Sequence, residues 1–186
     1  DTYLGLVERV EAGQPGDDYQ RGLVNYHARS YAPCIAAFTR HLEGSAETVQ
    51  PNARLFLAWC YEGVGDTANA FGQLDLLANT NPAQALIERG RMQQRLVQLA
   101  AAADSYLSYV AQFPDGSEAV DAAWTAANIA EWLGEPETAV SRYVAMAEQF
   151  SWADNAAEAL FRAGWLSVSL GDSDTASSPG SGQAVF

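Results

Sequence analysis

The chain has 186 residues, 23 Asp and Glu against 10 Lys and Arg, and a formal net charge of −13. All ten of those bases are arginine, so a phosphate-neutralising basic surface, electrostatic adhesion to anionic lipid and any lysine-dependent chemistry are excluded. With 48% apolar and 18% charged residues the composition is that of a globular chain, and its length suits one ordinary domain or one short repeat array.

In chain order, residues 2–12 place Tyr3, Leu6, Val7 and Val10 at helical spacing. This segment reads as the second helix of an incomplete repeat or as a capping helix over 1–16. Gly22, followed by Tyr31, Ile35 and Phe38, begins a helix pair. The next pair declares itself as Ala58-x2-Tyr61-x3-Gly65-Asp66-x3-Ala70-x3-Leu74-x7-Pro82. There Gly65 supplies the turn, Asp66 can cap the second helix and Pro82 opens the following one. Gly90, Leu99, Ala102, Tyr106 and Pro114 repeat the order, as do Ala127, Gly134, Ala139 and Tyr143. Gly164, Gly171, Asp172 and Ala176 begin a last copy. Equivalent turns are expected at 29, 65, 97, 134 and 171, so the step is 36, 32, 37 and 37 residues. Small residues (Gly22, Ala58, Gly90, Ala127, Gly164) recur where paired helices must approach closely, and large ones (Phe38, Leu74, Tyr106, Tyr143) recur on the facing helix. Ser177-Ser178-Pro179-Gly180-Ser181-Gly182 then breaks the last copy. The expectation is a repeat region over 17–172, a flexible tail over 173–186, and a last inter-repeat face left uncovered.

This pattern resembles the tetratricopeptide repeat family, whose unit is about 34 residues in two antiparallel helices. Arg29 and Val97 stand where the family's turn has glycine, and Cys34 stands for its usual alanine. The resemblance implies an all-α, right-handed solenoid of about four and a half helix pairs. Gln20-Arg21-Gly22-Leu23, Ala36-Ala37-Phe38-Thr39-Arg40 and Ala159-Leu160-Phe161-Arg162-Ala163-Gly164-Trp165 are further similar to envelope-associated bacterial repeat proteins. Among these is the superhelical, non-catalytic region of soluble lytic transglycosylases. The Glu-Ser motif of those enzymes' catalytic domain has no counterpart here.

No catalytic constellation is legible. His27, His41 and Cys34 lack the spacing of a nucleophile and its base. No Cys-x2-Cys or His-x3-His pair suggests a metal, and no cofactor is implied. Cys34 and Cys60 fall on adjacent helices, where either a disulfide or two buried thiols is compatible with the pattern.

The resemblance places first helices along a concave groove. Carried across helix by helix, it selects Tyr19, Tyr26, Trp59, Arg91, Arg95, Trp124, Asn128, Trp132 and Trp165 as groove residues, with Leu23, His27, Leu55, Glu62, Ile87, Gln94, Glu131, Phe161 and Val168 beside them. Of these, Leu55 and Phe161 are expected to be mostly packed. Trp, Tyr and Arg are the residue types of interaction hot spots. Arg91 and Arg95, one turn apart, form with Arg89 the basic island of an otherwise acidic chain. The reading is a non-enzymatic interaction scaffold that self-associates head to tail into a homo-oligomer or filament. A peptide-binding adaptor and the arm of a peptidoglycan-cleaving enzyme stand as alternatives. Partners are proteins; nucleic acid and membrane insertion are not expected. The Met-less start at Asp1 and the envelope-type resemblance point outside the cytoplasm.

Overall fold

The computed structural model describes residues 18–44 and 52–177, so the expected helix within 1–16 lies outside the described residues. Those described form nine α-helices and no strand: α1 (Asp18–His27), α2 (Tyr31–Gly44), α3 (Ala53–Gly63), α4 (Thr67–Leu77), α5 (Pro82–Arg95), α6 (Leu99–Gln112), α7 (Ala119–Trp132), α8 (Pro136–Gln149) and α9 (Ala156–Ser177). The helices fall into two compact units, Asp1–Ala85 and Leu86–Phe186, and within each unit neighbours in sequence pack in series. In the first, α2 packs on α1 and α3, and α3 on α4; in the second, α7 packs on α6 and α8, and α8 on α9.

One turn geometry recurs four times. Arg29, Gly65, Val97 and Gly134 take positive φ of 55°, 80°, 59° and 73°. Each such residue donates its N–H to the carbonyl three residues back. The residue after it reaches five back: Ser30 to Asn25 (2.8 Å), Asp66 to Tyr61 (2.9 Å), Gln98 to Gln93 (2.8 Å) and Glu135 to Ala130 (3.0 Å). This is the Schellman closure, which pairs carbonyls that a helix end leaves orphaned. Glycine suits it at Gly65 and Gly134. Arg29 and Val97 adopt it against their own sterics, and for a β-branched residue that is an outlier. Asp66 also caps α4, its carboxylate accepting from the Asn69 N–H at 3.1 Å.

The connections from second to first helices repeat too. Phe113, Gly116 and Ala119 donate to Tyr109, Phe113 and Gly116; Phe150, Ala153 and Ala156 donate to Met146, Phe150 and Ala153. The two sets stand 37 residues apart, the step of the turns at 97 and 134.

Small-against-large packing fixes each pair. A Cβ on Gly22 would lie 2.6 Å from the Phe38 ring, and one on Gly90 would lie 2.7 Å from Tyr106. Ala58, Leu74, Ala127 and Tyr143 occupy the same positions and are fully buried. The first unit adds an aromatic core: Phe38 stacks on Phe56 with centroids 5.6 Å apart, and Tyr19 meets Phe38 edge-on. Within it a disulfide joins Cys34 of α2 to Cys60 of α3, Cα atoms 6.2 Å apart. Closing that loop stabilises by roughly 3.5 kcal/mol on a chain-entropy basis. The second unit is built on alanine. α7 buries Ala119, Ala122, Ala123, Ala126, Ala127 and Ala130 with Ile129, because helices cover it on two sides.

At the far end the turn expected at Gly171-Asp172 does not form. α9 runs unbroken from Ala156 to Ser177, so the helix continues past 172. A turn there would need a second helix with an apolar face to dock, and the Ser/Gly/Pro sequence after it supplies none.

Candidate interaction surface

The groove residues expected from sequence do not share one environment. In the first unit Tyr19, Tyr26 and Trp59 are half-buried and pack on one another's neighbours. Tyr26 and Trp59 stack at 5.7 Å, and both meet Phe56 edge-on. These rings are walls of the aromatic core with one edge in solvent. His27 is exposed beside Tyr26, and His41 is buried against Tyr19. Leu55 and Ile87 are buried at 4% exposure and line no groove. That is the expected packing for Leu55 and a correction for Ile87, which points into the helix packing.

Arg91 is an internal staple. Its guanidinium donates to Glu88 at 2.9 Å and to Glu118, at the start of α7, at 2.6 Å. Burial works against its charge, but the Glu88 hydrogen bond and the Glu118 and Glu88 charges outweigh it and raise its pKa. A terminal carboxylate of a bound peptide would have to displace two carboxylates of the chain itself. Arg95, one turn on, is exposed.

The remaining groove residues lie on α7 and α9. Trp124 and Asn128 are half-buried, and Trp132 and Trp165 are 62% and 67% exposed. Arg162 of α9 meets Trp124 and Asn128 and lines one pocket with Trp165. Its Nε donates to Glu158 at 3.1 Å, and one terminal nitrogen reaches Glu131 (3.2 Å), Asn128 (3.4 Å) and the Tyr143 hydroxyl (3.5 Å). The guanidinium carbon lies 5.3 Å from the Trp124 ring centroid. Tyr143, from α8, places its hydroxyl 2.7 Å from Asn128 Oδ1 and 2.8 Å from Glu131 Oε2, so its single proton serves one acceptor at a time. Burial, then the Glu131 hydrogen bond, pushes the phenol up to about 12. Hydrogen bonds to Tyr143 and Glu158 raise the Arg162 pKa further. Thus α7, α8 and α9 are tied by one charged and aromatic cluster.

An open pocket of about 250 Å³ adjoins it, lined by Glu131, Glu158, Phe161, Arg162, Trp165 and Leu166. Phe161, expected to be packed, is 72% exposed. The position equivalent to it in the preceding pair, Trp124, is covered by Arg162 of the following helix; Phe161 has no such neighbour among the described residues.

Arg162, Glu158 and the Tyr143 hydroxyl carry no motif that singles them out in the sequence. The usable signal was the repeat register. Tyr106 donates to Gln94 at 3.1 Å, just as Tyr143 reaches Glu131, each 37 residues on. Trp152, on the connection after α8, is 76% exposed beside a depression of about 310 Å³ that includes Asp115, Ser117 and Gln149.

Among the described residues no group of three His, Cys, Asp or Glu could hold a metal ion, and no helix is long and apolar enough to cross a membrane. A scan of protein-family models and a search of curated proteins find no match for the chain.

Proposed function

We propose that the protein is a non-enzymatic interaction scaffold of the tetratricopeptide type, a right-handed solenoid of about four and a half helix pairs. It associates head to tail with further copies of itself. The observation that carries this reading is the bare stripe of α9. Leu160, Gly164 and Ser167 are exposed, and a Cβ at Gly164 would meet nothing within 4 Å. In the preceding pair the equivalent Ala123, Ala127 and Ala130 lie buried where α7 packs against its neighbours.

A small-residue stripe in this register accepts a second helix that presents a large residue. By sequence, Tyr3, Leu6, Val7 and Val10 have the spacing of Tyr106, Tyr109, Val110 and Phe113. They lie outside the described residues; head-to-tail association would bring that segment of a second copy to the stripe. Such a contact joins unlike faces, so it propagates into rings or filaments. The Cys34–Cys60 bond supports an oxidising, extracytoplasmic setting. Light scattering coupled to size-exclusion chromatography tests the reading. Mass should grow with concentration, and a single monomeric species at every concentration would overturn it.

A further inference from the structure

We infer that the pocket between α7 and α9 is a receptor for a cationic side chain, an arginine or lysine carried on an apolar segment of a partner protein. The anion-binding alternative fails on the charges present. Arg162 is the pocket's cation, and it is already held by Glu131 and Glu158, so the three groups sum to one negative charge. Each of those carboxylates spends one oxygen on Arg162: Oε2 of Glu131 and Oε1 of Glu158. Among the described residues their second oxygens have no hydrogen-bond partner. Both carboxylates line the pocket and remain accessible, with side-chain exposures of 35% for Glu131 and 56% for Glu158. Two unspent acceptors with a net negative charge ask for a donor-rich cation.

The walls specify what carries it. Trp165 and Phe161, one helical turn apart, flank the carboxylates, and Leu166 completes the apolar lining. An indole face attracts a guanidinium or ammonium, while the methylene stem packs on the apolar walls. The exposed stripe runs on to Val168, another turn away and beyond the pocket lining. That gives apolar surface for the residues on either side of the cation, more than a free amine would cover. The wider field agrees: residues 96–160 carry ten acids against Arg142 alone, which favours the encounter with a basic partner. This site uses the Phe161, Trp165 and Val168 face, not the Leu160 and Gly164 stripe, so it does not rest on head-to-tail association.

The test uses the full 186-residue chain and acetylated, amidated seven-residue peptides that alternate leucine with arginine, lysine, citrulline or glutamate. Binding is followed by isothermal titration and by tryptophan emission. The arginine and lysine peptides should bind, more weakly as salt rises. The citrulline peptide, which keeps shape but not charge, should bind about ten-fold more weakly, and the glutamate peptide not at all. Glu158→Gln and Trp165→Ala, each checked for unchanged helicity, should each weaken the arginine peptide several-fold. If citrulline and arginine bind alike, or if both variants bind like the parent, the inference is wrong. Absence of binding by the arginine and lysine peptides also overturns it. Where binding occurs, the mass measured by light scattering should not change, as expected for a basic segment of a different protein; dissociation of an oligomer by the peptide would make the occupant a second copy and overturn the assignment to a different protein.

Discussion

Helices α7 and α9 occupy the same position in successive pairs and have opposite fates. Ala123, Ala127 and Ala130 of α7 are buried, and the helix packs on both α6 and α8. Leu160, Gly164 and Ser167 of α9 stand 37 residues further on and are exposed. On the adjoining face, Trp124 is half-buried under Arg162, while Phe161 is open. The lesson is that a first helix in this chain is finished by its neighbours. Its own residues make it a helix, but whether its small-residue stripe is core or surface depends on the helices stacked beside it.

The largest expected effect comes from removing the residue that covers α7. Tyr143→Ala empties a fully buried site and releases Asn128, Glu131 and Arg162 together. Denaturant unfolding should show a loss of about 3–5 kcal/mol; a loss below about 1 kcal/mol would mean that α8 is held to α7 elsewhere. Next is a matched pair of insertions. Ala127→Leu overpacks a fully buried site and should cost about 1–3 kcal/mol. Gly164→Leu puts the same side chain into the open and, by helix propensity, should stabilise the monomer by about 1 kcal/mol. Equal costs for the two would erase the contrast between the helices.

A smaller effect tests the turns that set the pairs. Val97 and Gly134 share one left-handed geometry with unequal fitness for it. Val97→Gly should stabilise by about 0.5–1 kcal/mol, and Gly134→Val should cost about 1–2 kcal/mol. The gentlest probe is pH. A phenol raised to about 12 in the fold ionises near 10 when unfolded. The stability linked to Tyr143 is therefore whole below about pH 10 and is lost as pH rises towards about 12. Tyr143→Phe should flatten that part of the stability profile, and an identical slope in the variant would show that Tyr143 does not couple to folding.

Much of the fold is legible in the residues. The turns at 29, 65, 97 and 134 accord with the spacing of small and large residues, including the two that lack glycine. Pro82 opens α5, and Asp66 caps α4, as their chemistry suggests. The turn at 171 is not legible as absent, because Gly171-Asp172 is locally as good a turn as Gly65-Asp66. The difference lies in the sequence that follows, Ser177-Ser178-Pro179-Gly180-Ser181-Gly182, which carries no apolar helical pattern.

The surface is less legible than the fold. Trp124 and Asn128 meet Arg162, Trp165 lines the adjoining pocket, and Trp132 is exposed on α7. Tyr19, Tyr26 and Trp59 instead join a packed aromatic core, and Arg91 is taken up by Glu88 and Glu118. Residue type indicates capacity for a contact but does not say whether that capacity is used inside the chain. Arg162 shows the reverse: an arginine with no motif to mark it holds groups from α7, α8 and its own helix.

By itself, then, the sequence determined the periodic elements: where helices start, where they turn, and which positions must be small. These are set by local sterics and by spacings of three and four residues, and they need no knowledge of distant neighbours. Tertiary structure alone decided which stripes are core and which are bare, which arginines are spent, and where unspent carboxylates meet exposed aromatic rings. Burial and charge pairing depend on groups brought together from positions up to 34 residues apart, as Arg162 and Asn128 are, and no local pattern encodes that meeting.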